Sequence, residues 1–432
     1  MESIDKFFKI REMGSSYKNE ILGGLTTFSS IIYVLVVNPT ILSAAGLPFG
    51  SVMVATILVT ALSTCLMGLL ANYPFAIAPG LGVSAFFTYS IVLKQGIVWQ
   101  NAMLAVFFVG VFLLFFTLIK IRRKILMSIP NSLFKGIACG IGLFLIFVGF
   151  EQIGMIKASH GSIIQMGSFM NIRVLIAFVS FAVIVLMLYF KLQYAFIAVI
   201  LANWILALIL KMSVFKGVVA LPPSLFPTFL KLNFSFIKEP DFFKILFSLF
   251  LIGIFDSTAG LFLLLKQSGR EGDIHDEKHM EKALLPDSIS SSLGPLLGTT
   301  TLAVHIESAS GISAGAKTGF SSIIVALLFL FCLFFYPLFS SIPNFATTSV
   351  LMVLGCYMVM QIKSMKWNDF ADVVSFFVTT ITMPLTFSIY HGFAFGFISY
   401  TVLKVITGKY KHIPIVCWVF SALFAIELFV FR

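Results

Sequence analysis

Two acids stand where acids are costly. Asp256 interrupts the apolar run Phe242–Leu265 (FFKILFSLFLIGIFDSTAGLFLLL). Glu307 lies in Gly298–Gly315 (GTTTLAVHIESASGISAG), which is too rich in Gly, Ser and Thr for an ordinary lipid-facing helix. A charged side chain at the bilayer centre costs about 3 kcal/mol on insertion scales, so such residues usually face a cavity and carry function. An ionised carboxylate only accepts hydrogen bonds, so each acid selects N–H donors on a ligand. His305 lies two residues before Glu307. Along a strand the two share a face, whereas along a helix they diverge by roughly 200°. Glu307, His305 and Asp256 are the candidates for carrying a proton, because burial and neighbouring charge move carboxyl and imidazole groups between charge states. The competing reading of each acid is a buried ion pair or a helix-terminus contact, and that of His305 is a structural donor.

Phe255 and Phe86 are candidates for stacking on a planar ligand, as aromatic faces do, although the chain has 50 Phe and most must serve core or lipid contact. Thr300, Thr301 and Ser308 offer hydroxyl contacts, but hydroxyls inside spans also bond their own backbone. Two buried acids in separate apolar segments point to a polar or ion pathway through a membrane protein.

The elements that hold these residues must be membrane spans. Of 432 residues 59% are hydrophobic and 11% charged, outside the range of soluble domains. Mean hydropathy is +1.04. The N-terminus (MESIDKFFKIREMGSSYKNE) has no apolar core segment, so no cleavable signal peptide is expected and the first span serves as insertion signal. The formal net charge of +11 collects in short connections: Lys6, Lys9, Arg11 and Lys18; Lys120, Arg122, Arg123 and Lys124; Lys266, Arg270, Lys278 and Lys282; Lys363 and Lys366; Lys404, Lys409 and Lys411. With a cytoplasmic N-terminus all of these fall inside, as the positive-inside rule requires. The group Lys211, Lys216, Lys231 and Lys238 is the exception, in an outer connection long enough for the rule to be weak. The charge is a topology signal and not a nucleic-acid footprint. The expected location is the cytoplasmic (inner) membrane, with the lipid bilayer as partner. The cysteines Cys65, Cys139, Cys332, Cys356 and Cys417 stand singly, with no metal-ligand or disulfide spacing.

Spans are expected near 22–45, 52–72, 75–92, 98–120, 131–150, 172–190 and 194–211, then near 242–265, 283–297, 298–315, 318–339, 345–361, 371–388 and 390–407. Residues 413–431 are also apolar, either an extra span or a helix at the interface. The chain divides into 1–211, a connecting loop 212–241, and 242–432. Seven spans per half would invert the second half relative to the first. The third span of each half is short and broken: Tyr73–Ser90 (YPFAIAPGLGVSAFFTYS) by Pro79, Gly80 and Gly82, and Gly298–Gly315 by its glycines. Such paired interruptions mark the midplane site of secondary transporters, where irregular backbone lines a cavity. The competing reading, glycines that let helices approach closely, suits Gly136, Gly140 and Gly142.

At Gly23–Asn38 (GGLTTFSSIIYVLVVN), Ala78–Phe87 (APGLGVSAFF), Phe255–Leu261 (FDSTAGL), Thr301–Gly319 (TLAVHIESASGISAGAKTG) and Met383–Tyr400 (MPLTFSIYHGFAFGFISY) the chain resembles the AzgA-like purine permeases of the nucleobase–ascorbate transporter superfamily. The resemblance runs from about residue 10 to 431. It implies an all-α polytopic membrane protein of fourteen spans in two inverted seven-span repeats. Spans 3 and 10 would each be a short strand plus a half-helix. A core (22–120 and 242–339) would move against a gate (131–211 and 345–407). It implies a non-enzymatic permease that takes up a purine base with a proton, with no other cofactor. Asp256 matches the acid that binds the ring N–H edge, and Glu307 the acid that holds the other polar edge. Ser84, Ala85, Phe86, Phe255 and Ser308 fall in the matched segments and complete the expected substrate contacts.

The chain departs from that pattern at Ser84, where the branch usually has Asn, at Ala259-Gly260 in place of Gly-Thr, and at Lys317 in place of Arg. These departures leave the class standing and the particular base open. Alternatives are a uracil or xanthine permease, or an anion (sulfate or bicarbonate) transporter of the same seven-plus-seven fold, whose substrate two carboxylates would repel. A channel lacks a filter-like ring here, and an enzyme lacks a nucleophile–base pair, metal motif or nucleotide loop. Assembly as a homodimer is an open alternative to a monomer.

Overall fold

Long apolar runs become long helices, since a chain removed from water must satisfy its backbone groups internally. The computed structural model describes residues 2–157, 165–270, 272–365 and 367–430. Lys366, parts of the connections 151–171 and 266–282, and the last residue of the 413–431 segment therefore lie outside the described residues. Among the described residues nine helices are at least 18 residues long and apolar enough to cross a membrane, and shorter apolar helices accompany them. The helices coincide with the expected spans to within a few residues, with two exceptions. The first span starts earlier, at Tyr17. The ninth begins at Glu277, because the polar stretch EKHMEK is helical although its hydropathy is low.

The chain is not purely helical. Two short antiparallel pairs form: β1 (Ile77–Pro79) with β4 (Leu302–Val304), and β2 (Ile156–Lys157) with β3 (Gln165–Met166). The first pair is the one that the resemblance implied for spans 3 and 10. The second, a small hairpin between helices Asn131–Gln152 and Ile172–Tyr189, carries no signal in the sequence.

The helices pack in two groups. Tyr17–Ile31, Phe49–Leu66 and Gly319–Phe331 pack together, and Glu277–Leu297 joins them to Trp99–Leu118 and Pro240–Gln267. In the other group Asn131–Gln152 packs on Phe345–Val359 and Phe370–Thr386, with Ile172–Tyr189 and Ile389–Ile406 around them. Within this second group Gly136 lies against the Phe376 backbone and Gly142 against Gly355, the close approach that small residues permit.

The apolar C-terminal segment forms the helix Ile415–Val430, antiparallel to Ile389–Ile406 along its length. Thr401 meets Ser421 at 2.7 Å, Phe397 packs edge-on to Phe420 and tilted against Phe424, and Tyr390 meets Phe424.

Candidate functional site

The two broken spans meet head to head. β1 and β4 pair Ile77 with Val304, Ala78 with Ala303 and Pro79 with Leu302. Two further backbone bonds extend the ladder: Gly80 N–H donates to the Thr301 carbonyl and His305 N–H to the Ala76 carbonyl, both at 3.0 Å. Pro79, which has no N–H to give, takes the last paired position before the chain turns into the short helix Leu81–Ala85. On the other strand the chain turns after Val304 into the half-helix Ser308–Ser313, with Glu307 at its N-cap. The first-turn N–H groups of Ser308, Ala309 and Ser310 donate to the His305, Ile306 and Glu307 carbonyls, which leaves the Glu307 side chain for other partners.

The helix Pro240–Gln267 passes behind this junction. Asp256 and Gly260 are four residues apart and so present to the same side. A Cβ on Gly80 would fall against Asp256 Oδ2, and one on Gly260 against the Val304 carbonyl oxygen. The bare backbone at these two positions therefore lets the carboxylate and the strands share one space.

That space is a cavity of about 130 Å³. One wall is polar and comes from the first helix group: Tyr33, Asp256, His305 and Glu307, with the backbone of Gly80 and Gly82. The other is mainly apolar and comes from the second group: Phe134, Ile137, Ile141 and Leu145 on one helix, Leu354 and Met358 on another, with Tyr357 and Gln361 at its edge. Phe255 also lines it, packed between Phe134 and Phe393 at centroid distances of 5.8 and 5.2 Å. Tyr33 enters because the first span breaks between Tyr17–Ile31 and Val34–Ala44. Its hydroxyl donates to Glu307 Oε1 at 2.5 Å. His305 Nδ1 lies 3.1 Å from the Ala303 carbonyl. Five cavity residues, among them Ile306, Glu307 and Tyr357, also line a second, wider cavity that reaches Gln193, Lys266 and Gln267 at the face carrying the N-terminus. A third cavity, at the opposite face, shares no lining residue with the central one.

The structure thus brings together Asp256, Glu307, His305 and Phe255. Ser84, Ala85, Phe86 and Ser308 are fully or almost fully buried outside the cavity wall. Helical twist after Gly80 turns Ser84, Ala85 and Phe86 away and leaves the Gly80–Gly82 backbone facing inward. Ser84 Oγ donates to Asn38 Oδ1 at 2.7 Å and meets Thr300 Oγ1 at 2.7 Å. Asn38 Nδ2 donates to Thr56 and Thr299 hydroxyls, both at 2.9 Å. One amide and four hydroxyls therefore knit the two broken spans together behind the cavity. Ser308 Oγ accepts from Ala76 N–H at 3.0 Å and pins the strand entrance. Phe86 lines the cavity at the face opposite the N-terminus. Tyr33, Tyr357 and Gln361 were not foreseen. Tyr33 and Asn38 both stand in Gly23–Asn38, and a phenol and an amide inside one apolar run were the available signal.

A membrane-embedded, mostly helical chain whose two broken spans meet over a polar slot, backed by a second helix group, has the architecture of a transport protein and not of an enzyme. The match of residues 18–414 to the Permease family model places this chain in that family. It is 34% identical to the adenine permease AdeQ of Escherichia coli, over 99% of this chain and 96% of that one. It is 36% identical to the guanine/hypoxanthine permease PbuG of Bacillus subtilis, over 94% of this chain and 95% of that one. The fold is also that of the transmembrane domain of the cyanobacterial bicarbonate transporter BicA, at TM-score 0.64 and 16% identity, covering 87% of this chain and 97% of that one. The resemblance to AzgA-like permeases stands along the whole chain.

Proposed function

We propose that this permease carries a purine base across the cytoplasmic membrane together with a proton, by alternating access. The observation that carries the reading is the two-walled slot, with Asp256, His305 and Glu307 on one side and mainly apolar side chains on the other. A purine has N–H donors and ring acceptors at its edge and an apolar face, and the slot offers the complement of both. Asp256 accepts from a ring N–H, Phe255 contacts the ring face, and Glu307, held by Tyr33, takes the remaining polar edge. Ser84 and Ser308 support this geometry from behind. The names of the relatives, adenine permease and guanine/hypoxanthine permease, support the purine class.

The fourteen-span count, with inverted repeats at 1–211 and 242–432, belongs to this reading. The helix group holding both broken spans is the core (22–120 and 242–339) and the other is the gate (131–211 and 345–407). Placing the N-terminus in the cytoplasm puts the basic connections inside. The wide cavity that reaches Glu307 then opens inward, and the state described is inward-facing. Glu307, His305 and Asp256 carry the proton; a homodimer is the assembly to look for by mass measurement in native nanodiscs.

The test is uptake of a radiolabelled base panel in permease-deficient cells, with and without a protonophore. Saturable, protonophore-sensitive uptake of adenine, guanine or hypoxanthine is expected. Competition by sulfate or bicarbonate, with no effect of purines, overturns the reading in favour of an anion carrier; uracil or xanthine as the preferred substrate overturns the choice of base.

A further inference from the structure

The helix Ile415–Val430 lies outside the seven-plus-seven plan, and its contacts differ from those of a lipid-facing appendage. On one side it follows the gate helix Ile389–Ile406: Ser421 Oγ donates to the Phe397 carbonyl at 2.8 Å, and Tyr390 donates its hydroxyl hydrogen bond to Glu427 Oε2. On the other side it reaches the core helix Pro240–Gln267. Phe247 of that helix packs on Phe424 at 5.3 Å and on Phe420 at 6.1 Å. Phe424 is fully buried between Phe247, Tyr390 and Phe397. Near the central slot the two helices touch directly, through Phe255 and Phe393. From there toward the face opposite the N-terminus, the terminal helix fills the seam. At that face Glu427 lines the cavity together with Lys94, Asp241 and Lys244 of the core and His391 of the gate.

We propose that Ile415–Val430 is a strap across the core–gate seam, and that the Tyr390–Glu427 contact is the latch holding the face opposite the N-terminus closed. The inference rests on the core-against-gate reading above. The physical reason is that one rigid helix is anchored by hydroxyl and carboxylate contacts to the gate and by interlocked rings to the core. Relative motion of the two groups must therefore slide Phe247 past Phe420 and Phe424. Loosening the gate-side anchor shifts the equilibrium toward the state open at that face.

The test uses the full chain in proteoliposomes, with its five native cysteines replaced and Ser90→Cys placed in that cavity. The readout is labelling by a membrane-impermeant thiol reagent. Glu427→Gln and Tyr390→Phe should each raise the labelling rate several-fold, with no further gain in the double variant. A second variant, Phe247→Cys with Phe424→Cys, should lose transport on oxidation and recover it on reduction. Labelling rates equal to the parent in both latch variants, or full transport by the cross-linked protein, overturn the proposal. Labelling needs no substrate, so the latch is tested even if the purine panel fails, and that failure counts against the proposed function alone.

Discussion

Tyr33 donates a 2.5 Å hydrogen bond to Glu307 Oε1, linking the break in the first span to the N-cap of a half-helix 274 positions further along the chain. The carboxylate is therefore held by one span, sits at the mouth of another, and faces both the slot and the wide cavity beside it. A group so placed senses ligand and solvent at once. Glu307→Gln keeps the size of the side chain and removes the exchangeable charge. We expect it to lose concentrative, protonophore-sensitive uptake while keeping downhill exchange of the base. Accumulation against a gradient by this variant would transfer the coupling role to Asp256 or His305.

Asp256→Asn should abolish binding at ordinary substrate concentrations with insertion and folding intact. A hydrogen bond to a charged group contributes about 1.5–3 kcal/mol, and its loss corresponds to roughly ten- to over a hundred-fold in Kd. Isotope binding to purified protein, or a ligand-induced shift in melting temperature, reads this directly. Near-normal affinity would remove Asp256 from the site.

Gly80 has φ −69 and ψ 112, a backbone that alanine adopts without strain. What alanine lacks there is room, because its methyl would lie against Asp256 Oδ2. Gly80→Ala is accordingly expected to reduce base binding at least tenfold at unchanged expression and melting temperature. A loss of expression in step with binding would show that the glycine serves folding instead.

How much of this was legible depended on how far each signal reached along the chain. An acid inside an apolar run is visible locally, so Asp256 and Glu307 stood out, and His305 followed through its two-residue spacing on an extended segment. The paired interruptions at Pro79–Gly82 and in Gly298–Gly315 marked where the spans break, and the strands at those breaks followed from the family resemblance. The rotation of the short helix after Gly80 was not, and it sends Ser84, Ala85 and Phe86 away from the slot. Tyr33 on one side and Tyr357 with Gln361 on the other reach the cavity from two distant places in the chain. Aromatic and amide residues are common enough in spans that only the tertiary meeting distinguishes them. The terminal helix was visible as apolar sequence, but its place in the seam depends on Phe247, which lies 177 positions before Phe424.

Arg122 and Asp287 form an ion pair at 2.7 Å with both side chains fully buried, and Arg122 also donates to Ser288 at 2.8 Å. Burying two charges costs nearly as much as their attraction returns, whereas removing one partner strands the other. Arg122→Met alone should therefore destabilise the protein by about 3–5 kcal/mol, and Arg122→Met combined with Asp287→Leu should recover most of that. Unfolding of the detergent-solubilised variants measures both. A double variant no better than the single would show that the pair is needed for more than mutual neutralisation.

The gate group carries a charge cluster at the end where the basic connections gather. Lys404 reaches Asp369 at 2.9 Å and Asp372 at 3.2 Å, Lys409 reaches Asp369 at 2.7 Å, and Ser132 donates to Asp372 at 3.2 Å. The hydrogen bonds from Lys409 and Lys404 hold the Asp369 carboxyl well below the usual carboxylate range. A depressed carboxyl contributes stability that is fully present above its unfolded value, about 3.9 for Asp, and is lost as pH falls through the lower folded value. The cluster joins the start of Phe370–Thr386 to the ends of its two neighbours, so its loss loosens the gate as a unit. Melting temperature should therefore hold steady from neutral pH down to about pH 4–5 and drop below it. Asp369→Asn should lower the plateau and flatten the acid limb. Superimposable acid limbs for parent and variant would show that Asp369 does not carry this part of the stability.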